Sequence, residues 1–268
     1  MVESELERNT KEFNKFESRA AVFVAGETPA IVTETLCMLM RGECHSHIAN
    51  DKPHKFMPTE IHIITTRGEK ENGTGSFVRR WKDPGHLGIG AVLNCVREYG
   101  IDKISITLHF ITNGADSAPE PWADSAKNIA AAGVNANDLK KWKYLKIHAL
   151  NAQVPDDADN LADIRTDAEN EAAGNYITRV LQQLARGDGS SERAIHISMA
   201  GGRKTMSGFT KGAAWLLGRA QDRLSHVLVD KSLEAQPNEL PDWSRAKIGL
   251  EATRANRTKV KGAYLLPS

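Results

Sequence analysis

An α/β fold with a mainly parallel sheet flanked by helices is what this sequence predicts, and three observations lead to it. Apolar runs of strand length recur along the 268 residues, as in "AAVFVAG" (20–26), "EIHIITT" (60–66) and "AIHISMA" (194–200). They are apolar at consecutive positions rather than alternating, which marks strands covered on both faces. Segments of helical period separate them, and that alternation is the signature of strand–helix–strand units.

Residues 1–18 form a polar lead-in whose weak apolar stripe (Leu6, Phe13, Phe16) suits a short helix. The first strand closes at Gly26, and Pro29 fits the first turn of a helix that Ile31, Thr35, Leu36 and Leu39 carry to about Arg41. Residues 42–58, with their Gly, Pro and Asn, read as loop, and the strand 60–66 leads into Arg67-Gly68. Leu87, Ala91, Val92, Val96 and Tyr99 give a helical pattern over 86–99, followed by strand "KISITLHFIT" (103–112). A polar, Ala-rich insert at 113–142 leaves room for one or two short helices before strand "YLKIHAL" (144–150). Thr166 and Glu169 have capping-box spacing and open a helix that runs through Ala168, Ala172, Ile177, Val180, Leu181 and Leu184. Strand 194–200, a helix over 204–219 and strand "SHVLVD" (225–230) complete the pattern, and the tail could form a β-hairpin. The expected plan is an N-terminal extension (1–18), one α/β domain (19–230) with its insert, and a C-terminal extension of that domain (231–268).

An apolar fraction of 40% and a charged fraction of 26% are those of an ordinary globular protein with a sizeable core. The formal charge of +1, from 35 basic and 34 acidic residues without a long Lys/Arg run, argues against a general grip on long nucleic acid. It leaves a small anionic ligand open. Cys37, Cys44 and Cys95 show no CxxC spacing, and their odd number argues against a disulfide framework. The charged N-terminus lacks the apolar core of a secretory signal, and no apolar run nears the roughly 20 residues that span a bilayer. The expected setting is the reducing cytoplasm, with no membrane.

Two glycine-marked turns end strands where ligands bind in open parallel sheets, beyond the C-terminal strand ends. They are Gly26-Glu27-Thr28-Pro29 and Gly201-Gly202-Arg203-Lys204-Thr205, the latter continuing to Met206. Glycine lets a ligand come close to the backbone, and the free N–H groups of the following helix favour an anion. Arg203 and Lys204 oppose the helix dipole by about 0.3–1 kcal/mol each, so their placement favours an anionic partner. A tight turn with two solvated cations would have the same local sequence. Thr28, Thr33 and Glu34 surround the first turn, Thr28 serving equally as an N-cap before Pro29. Thr65, Thr66 and Arg67 offer hydroxyls and a cation on the same edge, although a polar strand end reads alike.

Other chemistries lack their motifs. There is no GxxxxGK[ST], no GxGxxG and no GxSxG, and no carboxylate pair stands out. Cys44, His45, His47 and His54 match no standard zinc spacing, so neither metal nor cofactor is expected. His62, His109, His148 and His196 lie in strand patterns and read as packed residues.

"VAGETPAIVTETL", "IITTRG", "DIRTDAENEAAGNYI", "ISMAGGRKTM" and "LLGRAQDRLSHVLV", in this order, resemble the CRISPR-associated Rossmann-fold (CARF) superfamily. Within it they are similar to the small ring-nuclease branch, whose members consist largely of the Rossmann-like CARF domain. The resemblance covers roughly residues 20–230 and leaves out the lead-in and the tail; no catalytic histidine motif of a HEPN ribonuclease domain is present. It implies a homodimer with a cyclic oligoadenylate messenger (cA4 or cA6) across the two-fold axis, faced by both glycine turns of each subunit. It also implies metal-free opening of the ring, in which a ribose 2′-hydroxyl attacks the adjacent phosphate and leaves a 2′,3′-cyclic phosphate. Such a reaction needs in-line positioning and charge stabilisation rather than a protein nucleophile. On this reading Lys204 stabilises transition-state charge, Arg203 clamps phosphate or meets the dimer partner, and Thr28 orients phosphate or ribose. Gly26, Glu27, Thr33, Thr65, Thr66, Arg67, Gly201, Gly202, Thr205 and Met206 would contact the ligand. A non-catalytic sensor of the same messenger is the alternative, and an unrelated nucleotide-binding α/β enzyme a remoter one. The insert and the tail could cover the site or alter ring-size preference.

Overall fold

The structure, a computed structural model, describes residues 4–26, 30–42, 44–46, 55–66, 92, 95–97, 99–112, 144–150, 161–186, 193–229 and 260–264. The helices with full bounds are α1 (Glu5–Phe13), α2 (Ala30–Arg41), α3 (Asp167–Arg186) and α4 (Lys204–Leu217). The strands are β1 (Ser18–Val24), β2 (Cys44–Ser46), β3 (Glu60–Thr65), β4 (Lys103–Phe110), β5 (Tyr144–Leu150), β6 (Arg193–Ser198), β7 (Arg223–Val229) and β8 (Val260–Tyr264). They form one eight-stranded sheet in the order β2-β8-β7-β6-β1-β3-β4-β5. Every pairing is parallel except that of β7 with β8.

Consecutive apolar residues in the central strands feed two cores. Ala21, Phe23 and Ala25 pack with α2 and with the helical residues Val92, Cys95 and Val96 on one face. Val22 and Val24 pack with α3 and α4 on the other. The Phe209 ring of α4 lies where a methyl on Gly174 of α3 would stand, 2.7 Å from its nearest atom, so these two helices meet closely. At α3 the expected capping box is present: Glu169 N–H donates to Thr166 Oγ1 at 3.2 Å, and Thr166 N–H donates to Glu169 Oε2 at 2.8 Å. At α1 Ser4 and Glu7 form a second one.

Two expectations change. The stretch 42–58, read wholly as loop, contains β2, which lacks an apolar pattern of its own and pairs with β8 from the far end of the chain. The described tail strand is not half of a hairpin within 231–268; it pairs antiparallel with β7, with Val229 opposite Val260. The expected insert at 113–142 lies outside the described residues, as does most of the helix expected over 86–99.

The N-terminal edge of the sheet is held by buried polar groups. Asp222, 2% exposed, accepts from the backbone N–H of Ile195 and Arg219 and from the Arg219 guanidinium, at 2.9–3.0 Å. Arg219 also donates to the carbonyls of Ala185 and Arg193, so one ion pair joins the end of α3 to the starts of β6 and β7. Nearby, Glu60 accepts from Ser18 Oγ at 2.6 Å and from His62 Nε2 at 3.2 Å, with Arg193 at 3.5 Å. Burial alone would raise the Glu60 carboxyl, but the bonds from His62 and Ser18 and the Arg193 charge outweigh it and lower it to about 2. His62 Nδ1 lies 3.0 Å from His109 Nε2, and burial, with His62 beside it, pushes the His109 imidazole well below its ordinary value.

Asp222→Ala should lower unfolding stability by about 3–5 kcal/mol in urea titrations, because it strands the Arg219 charge and the Ile195 N–H. The depressed Glu60 carboxyl adds stability that is complete above its ordinary value of 4.5 and is lost as pH falls toward about 2. Glu60→Gln should therefore flatten the acid limb of a stability-versus-pH profile over that window while lowering stability at neutral pH.

Candidate functional site

After β1 the chain visits β2 at the far edge, then lays β3, β4 and β5 outward on one side of β1 and returns to place β6 on its other side. Strand order thus reverses between β1 and β6, and the crevice beyond their C-terminal ends is the place where such sheets bind ligands. Phe23 lies opposite Ser198 and Val24 opposite Ile64, so β1, β6 and β3 end at one level.

Both glycine turns meet here. A Cβ on Gly26 would lie 3.2 Å from Gly202 Cα, and one on Gly201 would overlap the Val24 carbonyl oxygen and stand 3.2 Å from Ile31 Cγ2. Gly202 has φ +72°, and a Cβ there would come within 3.0 Å of Met206 Sδ. The Ser207 hydroxyl, 3.0 Å from both the Met199 and the Gly201 carbonyl, binds the first turn of α4 back to this bend.

The helix that starts here is poorly capped. Arg203 occupies the N-cap with extended backbone but has no side-chain acceptor to offer. Among the described residues nothing accepts from the N–H groups of Lys204, Thr205 and Met206, and Lys204 and Thr205 are exposed. The two adjacent cations are treated differently. Arg203 grips Asp163 with Nε on Oδ1 at 2.7 Å and Nη2 on Oδ2, while Lys204 has no carboxylate partner among the described residues. Asp163 belongs to the segment entering α3 and also pairs with Arg165 Nε at 3.0 Å. Burial raises its carboxyl, but bonds from Arg203, the Ile164 N–H and Arg165 hold it below its ordinary value. Its segment is tied across the strand ends by Leu161 N–H to the Ile111 carbonyl and Ile111 N–H to the Thr65 carbonyl.

Of the expected site residues, Gly26, Gly201, Gly202, Arg203, Lys204 and Thr205 gather at this crevice. Thr66 follows β3 on the same edge, partly exposed. Met206, Thr33 and Thr65 are 2%, 3% and 0% exposed, so their side chains pack the walls instead of facing a ligand. Arg203 is held by a carboxylate rather than left free for phosphate. Glu27, Thr28 and Arg67 lie outside the described residues, as do the side chains of Cys44, His45, His47 and His54. Glu34, on α2, is largely buried, and desolvation pushes its carboxyl up to about 7. The sequence reading missed Asp163 and Ser207: a lone Asp before a capping box and a Ser within a helix carry no signal for a partner elsewhere.

Fold and site together define an α/β protein with an anion-receptive helix N-terminus at the switch point of its sheet. Residues 28–265 match the family described as CRISPR-associated protein NE0113, and the chain belongs to that family. It is thereby a member of the CARF superfamily, as its sequence blocks imply. No curated protein matches it. Among solved structures it is similar to Enterococcus italicus Csm6 bound to cyclic hexa-2′-fluoro-hexa-dAMP, at 10% identity and a TM-score of 0.42. That alignment covers 93% of this chain and 41% of Csm6, so the chain spans about two-fifths of that protein's length.

Gly201→Ala should destabilise the protein by about 1–3 kcal/mol, since the new methyl meets backbone rather than a yielding side chain. Gly208→Ala, whose methyl meets nothing within 4 Å on α4, should be neutral or stabilising by about 0.5–1 kcal/mol in the same urea titration.

Proposed function

We propose that the chain is a ring nuclease: a cytoplasmic homodimer that binds a cyclic oligoadenylate, cA4 or cA6, across its two-fold axis and opens the ring without a metal or cofactor. The observation that carries this reading is the exposed start of α4. Its N–H groups and Lys204, which have no partner among the described residues, sit beside Gly26 at the reversal of strand order. A phosphate there meets fixed donors, the positive end of a helix and a cation, while glycine backbone lets it come close. Membership of a CRISPR-associated family supports a messenger of that defence as the ligand.

In the proposed reaction the ribose 2′-oxygen attacks the adjacent phosphorus as its proton leaves. The bond to the 5′-oxygen breaks, that oxygen takes a proton, and a 2′,3′-cyclic phosphate remains. The protein holds the three atoms in line and stabilises charge on the phosphate through Lys204 and the N–H groups of 201–205. Thr28 orients the phosphate or ribose. Arg203, anchored on Asp163, acts through its position at the N-cap and reaches phosphate only by exchanging its carboxylate partner.

Incubation with cyclic tetra- and hexa-adenylate in excess EDTA, followed by chromatography, should yield linear products ending in 2′,3′-cyclic phosphate. Tight binding with intact rings would replace the enzyme by a sensor that uses the same crevice. Lys204→Ala should lower the cleavage rate by about 10²-fold or more at unchanged oligomeric state. An unchanged rate would remove Lys204 from the mechanism.

A further inference from the structure

The three cysteines have no spacing that suggests a pair, yet two of them touch. Cys37 on α2 and Cys95, a helical residue 58 positions on, bring their sulfurs to 3.1 Å. Both are thiols rather than halves of a disulfide, and they are 4% and 5% exposed. The Cys95 sulfur also lies 3.8 Å from the Thr33 carbonyl, so it sits in the groove of α2 between Thr33 and Cys37, one turn apart. Side chains at that separation need to close by only about 1 Å to reach the roughly 2.05 Å of a disulfide. Core packing already holds them there: Val92 and Val96 flank Cys95, and Leu36 and Met40 flank Cys37, in one cluster.

From this juxtaposition we infer that Cys37 and Cys95 are a redox modification site, a dithiol that a two-electron oxidant of the peroxide class converts to a disulfide. One thiolate attacks the peroxide oxygen, giving a sulfenic acid and water. The other sulfur then attacks it, forming the S–S bond and releasing a second water. The two sulfurs together lose two electrons and the peroxide gains them. A small dithiol such as dithiothreitol reverses the step by exchange. Burial makes the reaction depend on local opening, so it is slow under mild oxidation and selective for an oxidant small enough to enter. The bond would staple α2, which follows the Gly26 turn of the crevice, to the helical segment packed beside it.

The test uses the full chain, oxidised natively with hydrogen peroxide, alkylated in denaturant without reductant, digested and mapped by mass spectrometry. The expected result is a peptide pair cross-linked through Cys37 and Cys95, with Cys44 alkylated and the link lost on treatment with dithiothreitol. The Cys44→Ser variant should give the same link. The cross-linked protein should melt roughly 5–10 °C higher, because a long loop is closed in the unfolded chain. Recovery of Cys37 and Cys95 both alkylated or separately over-oxidised, or linkage of either to Cys44, would overturn the inference. So would a lower melting point, which would mean that the helices must leave their native packing for the bond to close. None of these readouts depends on cyclic oligoadenylate.

Discussion

The close approach of two backbones where β1 and β6 end is the constraint on which the rest of the structure depends. β1 and β6 are hydrogen-bonded neighbours, and each must turn sharply into a helix on an opposite face, α2 on one side and α4 on the other. Both exits occupy the same small volume, and only backbone without Cβ atoms fits there. Gly201 lies against the Val24 carbonyl, and Gly26 backs onto Gly202. A side chain at Gly201 would push the strand end away and tilt the first turn of α4. The site would then lose its alignment with the switch point, since the N–H groups of a helix start point only where its axis points.

Charge at this point is divided rather than merely accumulated. Two cations at a helix start both oppose its dipole, and an unliganded chain bears that cost. Asp163 relieves one of them, pairing with Arg203 from a segment that crosses the ends of the strands. The pair is part exposed, so its worth is small in stability and larger in geometry, because it fixes the N-cap residue in place. Lys204 has no carboxylate partner among the described residues and stays exposed at the start of α4.

The buried ion pairs and the candidate site sit at opposite edges of the sheet. Arg219 with Asp222, and Glu60 with Ser18, His62 and Arg193, tie the starts of β1, β3, β6 and β7 to the end of α3. Their polar groups find partners within the protein, which is what buried charges require. At the C-terminal edge the donors at the start of α4 have no acceptor among the described residues. Rigid anchoring below leaves the upper edge free to hold unsatisfied groups in place, and unsatisfied groups at a rigid site are what a ligand can use.

The strand–helix alternation, the Thr166–Glu169 cap, strand 144–150 and the pairing of two glycine turns were all legible in the chain. The first three depend on residues within a turn or a strand length of one another, and the glycine turns could be paired because each by itself marks the C-terminal end of a parallel strand. Side-chain and strand pairings between distant residues were not legible. Nothing near "CHS" announces that β8 will pair with it, and nothing near Asp163 announces Arg203. Thr33, Thr65 and Met206 looked like ligand residues because they adjoin the turns, yet the direction of each side chain follows from helix phase and strand pleat against a packed core. By itself, then, the sequence determined the architecture and the place of the crevice, since local patterns decide which segments become strands and where they break. Only the tertiary structure decided which cation meets a carboxylate, which side chains face inward and which cysteines touch, because those outcomes depend on how distant segments converge on one sheet.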